Sequence, residues 1–313
     1  MPASTIRQSE LLELDLRHGP SCDYHRVVLP FRYLKVTPRV PVFWFNRVAS
    51  AGVARLKQLK ASGVRIVMDI DDHFELPADH YLFRSFKRSG MTQNILSGLR
   101  LADVVVVTHP VLAAEVVPFN RNVVIIPNAL PFDDGQFTLS ADTQTGSPLV
   151  YAAGTSHQPD LRMVAPFLPS RSLTVAGDIE GHAEWAKMRL TTPDQLWRGS
   201  MPLDTYMSVY DGHRVAIAPL VNNAFNRCKS NLKTLEAGAK GLPLIASDCH
   251  PYRNWLDQRH VIYCETGNAW SSEVRAMTAE KAHDYGHALA EHVRTHYHLR
   301  DANELRRQII ESF

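Results

Sequence analysis

In residues 229–248, KSNLKTLEAGAKGLPLIASD, Lys229, Lys233 and Glu236 stand just ahead of an apolar run. On a helix this spacing gathers all three on one face. The run from Leu242 to Ala246 suits a buried parallel strand. Ser230 is the expected N-cap, which directs the amides of Asn231, Leu232 and Lys233 out of the helix start. A helix N-terminus attracts anions, so lysines there oppose the dipole unless an anion is bound. A diphosphate would resolve that conflict, and Glu236, one turn further on, would suit ribose hydroxyls. The competing reading is a solvated, salt-bridged helix face.

A second cluster is DIDDHFELP (69–77). Asp69, Asp71 and Asp72 follow the run VRIVM and so fall at the carboxyl end of a strand, where parallel sheets bind ligands. Asp71 or Asp72 would position or deprotonate a hydroxyl there, and the plainer alternative is a carboxylate capping the next turn. The stretch HGPSCDYHRVVLP (18–30) adds Gly19, His25 and Arg26 where a glycine loop meets a helix. In YLFRSFKRSG (81–90), Arg84, Lys87 and Arg88 are interleaved with Phe83 and Phe86, a pattern that can track a polyanion. The histidines of 283–298 have no carboxylate in H-E-x-x-H register, so a solvated terminal helix is expected there rather than a metal site. The five tryptophans show no spacing that suggests a stacking platform.

The elements that must hold these groups alternate along the chain. Strands are expected at 11–16, 41–45, 64–70, 103–108 and 122–127, with helices at 52–62, 94–102 and 109–117 between them. The polar stretch 128–148 interrupts this rhythm. Strands then resume at 149–153, 172–177, 196–199, 214–220, 242–247 and 260–264. Near-continuous Val/Ile strands separated by amphipathic helices imply parallel sheets covered on both faces. The 313 residues suffice for two such domains. Their expected bounds are 1–130 and 148–295, with a linker at 131–147 and a C-terminal helix at 296–313 that packs back on the first domain. A net charge of +2 gives no global field for nucleic acid or membrane. No apolar run approaches the roughly 20 residues that span a bilayer, and the first residues lack the apolar core of a signal peptide. The 4 cysteines form no C-x-x-C pair, which fits reduced thiols and a cytoplasmic setting.

Residues 229–248 resemble the nucleotide-sugar segment of GT-B glycosyltransferases of family 4, also called group 1. Leu235 and Glu236 fall at its L-x-E, here adjacent rather than one residue apart, while Gly241, Pro243, Ala246 and Ser247 match G-x-P-x-[VI]-A-S. Weaker matches are LTVAGD (173–178), RVAIAPL (214–220), ADVVVVT (102–108) and IIPNAL (125–130). The resemblance implies an α/β fold of two doubly wound Rossmann-like domains facing each other across a cleft. It also implies transfer of a sugar from a nucleotide diphosphate donor to a hydroxyl, with retention, through an oxocarbenium-like transition state. Glu236 would then bind the ribose, and Ser230, Asn231 and Leu232 would offer amides to the diphosphate. Lys233 would stabilise the leaving group, with Arg227 and Lys229 adding charge.

Gly154, Thr155 and Ser156 fill a turn where the family often places Arg and Lys. Cys228 stands where it often has a glutamate that contacts the donor sugar. No metal or other cofactor is implied. The D-x-D of residues 69–71 is also a metal signature of the GT-A fold, but GT-A has no second complete β-α-β unit, and the resemblance to GT-B enzymes implies no bound metal. The expected partners are a nucleotide sugar and a saccharide or lipid-linked saccharide acceptor, with hydroxymethylated DNA as the second acceptor. A nucleotide-sugar epimerase and an inactive nucleotide-sugar-binding module would share the fold.

Overall fold

Runs of valine, isoleucine and leucine build two six-stranded sheets, one in each of two compact units. The computed structural model describes residues 4–16, 20–50, 52–140, 148–177, 182–191 and 195–313. Gly19, Asp178 and residues 141–147 of the expected linker lie outside the described residues. Unit 1 comprises Met1–Ala129, Arg227–Ser230 and Leu299–Phe313, and unit 2 comprises Leu130–Asn226 and Asn231–His298.

The unit 1 sheet runs β1 (Ser4–Ser9), β2 (Leu12–Leu16), β3 (Val42–Asn46), β4 (Arg65–Ile70), β5 (Val104–Val107) and β6 (Val123–Ile125), in that spatial order. The β2 to β6 strands are parallel, and β1 adds to the edge antiparallel to β2 with an irregularity between Arg7 and Ser9. That edge strand was not expected, because STIRQS lacks the apolar run that marks a buried strand. Side-chain alternation gives the sheet two apolar faces. Phe43, Phe45, Ile66, Met68, Val105 and Val107 pack on one face with Leu56, Ile95, Leu99 and Leu112 of the intervening helices. On the other face Trp44 meets Phe31 edge-on, 5.2 Å between ring centroids. The helix Leu299–Glu311 is tied to the segment carrying Phe31 by Asn303 Nδ2, which donates to the Pro30 carbonyl at 2.9 Å.

The unit 2 strands are β7 (Leu149–Ala153), β8 (Leu173–Gly177), β9 (Leu196–Arg198), β10 (Val215–Ala218), β11 (Leu244–Ser247) and β12 (Ile262–Cys264). Their order is β12-β11-β10-β7-β8-β9, all parallel. Connections therefore run outward in both directions from β7 and β10, the doubly wound arrangement. Ligands in such sheets bind at the carboxyl ends of the two strands where the order reverses. Unit 1, whose order is sequential, has no reversal of this kind. Tyr151, Val175, Trp185, Ile217, Ile245 and Trp270 share the unit 2 core.

Candidate functional site

In unit 2 Lys233 and Glu236 lie on one helix, Leu232–Ala239. Lys233 Nζ sits 2.7 Å from Glu236 Oε2, and Tyr210 donates its hydroxyl to the same oxygen at 2.6 Å. The Glu236 side chain is only 2% exposed, so its charge is held by these partners in a dry setting. Lys229 departs from the expected shared face: the helix begins three residues later, and Lys229 belongs to unit 1. Ser230 also departs from its expected role as cap. Its hydroxyl accepts from Asn128 Nδ2 at 2.7 Å, and Asn231 takes the cap position.

No side chain caps this helix, because the Asn231 amide is turned away to Asp257. The helix start therefore keeps the partial positive charge that an anion would meet. Gly238 and Gly286 explain the small residues that follow. A Cβ on Gly238 would lie 2.6 Å from Val293, and one on Gly286 would lie 2.1 Å from the Gly241 carbonyl oxygen. Both glycines let the helix Ala279–His296 lie directly against this segment.

Asp257 is a functional candidate that sequence reasoning missed. Fully buried, it accepts from Asn231 Nδ2 (2.6 Å), Asn254 Nδ2 (2.7 Å), His292 Nε2 (2.8 Å) and Tyr297 OH (2.9 Å). Burial works to raise its pKa, yet the hydrogen bonds from His292, Asn254, Asn231 and Tyr297 hold it below the usual carboxylate range. His292 is thus a buried core residue, whereas His283 and His287 on the same helix are solvated as expected.

At the reversal point Gly154, Thr155 and Ser156 directly follow β7, half-buried. The Thr155 carbonyl accepts from Trp185 Nε1 at 3.0 Å. Asp160, also missed from sequence, joins the loops after β7 and β10. One of its oxygens lies 2.7 Å from His157 Nδ1, and the other accepts the Val221 amide at 2.7 Å.

In unit 1 the three aspartates at the end of β4 separate by environment. Asp69 and Arg26 form a buried bidentate pair, with Nε to Oδ1 at 2.7 Å and Nη2 to Oδ2 at 3.1 Å. Arg26 also donates to the Ile126 carbonyl and to Asn128 Oδ1, and Asn128 holds Ser230. With no exposed surface, Arg26 is a positioning group rather than the ligand contact expected from the sequence. His25 is buried edge-on against Tyr24, 5.1 Å between centroids.

Asp71 is buried with one carboxylate oxygen lacking a partner. Burial first, then the neighbouring Asp72, pushes its pKa up to about 6. Asp72 lies 3.5 Å from Arg47 and 3.7 Å from Lys229. Burial, with Lys229 next, pushes the nearby His80 down to about 4. Arg47 is another missed residue: a buried, non-glycine position at φ 60° whose guanidinium donates to the His73 carbonyl at 3.0 Å. Cys22, Asp71 and Asp72 bring a thiol and two carboxylates within 4.8 Å of one another, the one donor set among the described residues that could hold a cation.

Arg227 is exposed, and Cys228 is 1% exposed within the apolar cluster of unit 1. Its carbonyl lies 3.0 Å from His109 Nε2. Burial pushes the Cys228 thiol up to about 12, so this position disfavours the charge that a glutamate would bring.

Residues 160–305 match the protein family described as Glycosyl transferase-like. Among solved structures, sucrose-phosphate synthase from Thermosynechococcus elongatus is similar at a TM-score of 0.65 and 13% identity, covering 86% of this chain and 73% of that one. A UDP-forming trehalose-phosphate synthase from Burkholderia xenovorans gives a TM-score of 0.60 and 13% identity, covering 94% and 80%. An E. coli protein described as trehalose-6-phosphate bound with UDP-2-fluoro glucose gives 0.59 and 8%, covering 100% and 90%. No curated protein matches the chain. These likenesses bear out the α/β fold of GT-B type.

Proposed function

We propose that the chain is a nucleotide-sugar glycosyltransferase of the GT-B class, with unit 2 holding the donor and unit 1 the acceptor hydroxyl. The carrying observation is the uncapped start of helix 232–239, with Lys233 resting on Glu236 one turn away. A nucleotide diphosphate supplies the anion that the helix start and Lys233 would meet. Its phosphates meet the helix amides and draw the Lys233 ammonium, and its ribose hydroxyls donate to Glu236. As the glycosidic bond breaks, charge grows on the leaving diphosphate, and Lys233 with the helix amides stabilises it in place. Asp71 is largely ionised at neutral pH, and its unpartnered oxygen takes the acceptor proton. Asp72, set between Arg47 and Lys229, orients the hydroxyl.

The acceptor class is a saccharide, free or lipid-linked, and the anomeric configuration is retained. Among the described residues no helix is long and apolar enough to cross a membrane. The similar structures include a UDP-forming synthase, one in complex with glucose-6-phosphate and one bound with UDP-2-fluoro glucose, so UDP-sugars and sugar phosphates come first in a screen. The test is release of nucleoside diphosphate from a panel of nucleotide sugars. It is run with and without oligosaccharide, sugar phosphate, hydroxymethylated DNA and unmodified DNA. Lys233→Ala and Glu236→Ala should each lower turnover at least about tenfold, or roughly 1.4 kcal/mol. Wild-type turnover in both variants would refute the donor assignment. Turnover should survive EDTA, whereas loss on chelation restored by manganese would give the cation to Cys22, Asp71 and Asp72.

A further inference from the structure

A cavity of about 350 Å³ opens in unit 1 beside the segment that follows the aspartates, within the size range of small-molecule sites. Phe83, Phe86 and Lys87 line it, at the i, i+3, i+4 spacing that puts them on one face of the helix Phe83–Arg88. Glu75, Thr92 and Gln93 also line it, with the Thr92 hydroxyl donating to the Phe74 carbonyl at 3.3 Å. The same helix carries Arg84, Lys87 and Arg88 at i, i+3, i+4, all exposed and with no acidic residue between them. Lys87 belongs to both faces, so the basic stripe reaches the cavity at that residue. The Phe86 ring lies 5.8 Å from the Arg47 guanidinium, which in turn is 3.5 Å from Asp72. One residue therefore links the cavity wall to the carboxylates assigned to the acceptor hydroxyl.

We infer that this cavity is an acceptor subsite for a phosphorylated saccharide. The inference rests on the transferase reading above and names its acceptor class. Aromatic rings offer the apolar faces on which a sugar ring lies, and Glu75, Gln93 and Thr92 offer acceptors and donors for its hydroxyls. Lys87, backed by Arg84 and Arg88, offers the counter-charge for the phosphate. A nucleic-acid backbone would favour an evenly basic groove, and Glu75 in the wall opposes it. A free sugar phosphate and a lipid-linked saccharide present the same sugar and phosphate chemistry.

The test is calorimetric titration of the full chain with the 6-phosphates of glucose, mannose and galactose, the unphosphorylated hexoses, and inorganic phosphate. A short-chain prenyl-diphosphate-linked N-acetylglucosamine and a DNA duplex complete the set. At least one phosphorylated sugar should bind at least about tenfold more tightly than its unphosphorylated parent. Phe86→Ala and Lys87→Glu should each weaken that binding at least about fivefold and leave UDP binding as in the wild type. Lys87 is exposed, so its variant reads the site even if Phe86→Ala disturbs packing. Tighter binding of the prenyl-linked ligand than of the hexose phosphates would identify the lipid-linked source. Wild-type affinity in Lys87→Glu, no phosphorylated-sugar binding at all, or binding of the duplex alone would each overturn the inference. Failure of the wild type to release nucleoside diphosphate from any nucleotide sugar would sink the transferase reading by a separate measurement.

Discussion

Replacing Asp257 with Asn tests whether one carboxylate holds the start of the donor helix. The four donors around Asp257 divide between two oxygens: Asn231 and Asn254 on Oδ2, His292 and Tyr297 on Oδ1. An asparagine keeps one accepting oxygen and turns an amide toward the other two donors. Each lost bond to an ionised group is worth about 1.5–3 kcal/mol, and the stranded donors are buried. Because the contacts share one side chain, a combined loss of about 4 kcal/mol is a better expectation than their full sum. At about 2–4 °C per kcal/mol, the unit 2 transition should fall by about 10 °C at pH 7.

The pH dependence follows from the depressed pKa of Asp257. Its stabilising contribution is complete above the unfolded carboxylate value of about 3.9 and is lost as pH falls through the lower folded value. The gap between wild type and variant should therefore hold steady from pH 7 to about 5 and narrow only as pH falls below about 3.9. Differential scanning calorimetry across that range measures both effects. A variant melting within about 2 °C of wild type at pH 7 would refute the assignment, as would a gap that does not change with pH.

Asp71→Asn should lower transfer at least about a hundredfold. Wild-type transfer should fall as pH drops through about 6, the raised value at which Asp71 takes up a proton. An unchanged acid limb in the variant's pH–rate profile would remove Asp71 from proton transfer. Cys228→Glu, which introduces the residue implied at this position by the resemblance to GT-B glycosyltransferases, should lower the unit 1 melting temperature by at least about 5 °C, because the side chain enters an apolar cluster. It should bring no gain in nucleoside diphosphate release, and a gain would place Cys228 against the donor.

The sequence carried the parallel sheets in the β-branched runs at β4, β5 and β10, and the pairing of Lys233 with Glu236 in a local i, i+3 spacing. Groups whose partners are distant in sequence were not legible. Asp257 stands 26 residues from Asn231 and 35 from His292, so no local pattern marks it. Ser230 reads as a cap until Asn128, 102 residues away, claims its hydroxyl. The same distance effect hid the role of Arg26, whose charge suggested a ligand contact until Asp69, 43 residues away, enclosed it. Strand β1 was missed because an antiparallel edge strand can stand without a continuous apolar run.

The left-handed backbone at Arg47 sets stability against activity at a single residue. At φ 60° a side chain crowds its own carbonyl at a cost of about 1–2 kcal/mol that glycine would not incur. Glycine there would relax the backbone but remove the cation beside Asp72 and the guanidinium over Phe86. A search for heat-resistant variants would be drawn to this position by the backbone and would lose the charge arrangement around the aspartates. Stabilising this fold without loss of turnover therefore means leaving Arg47 in its strained conformation and seeking gains away from the β4 end.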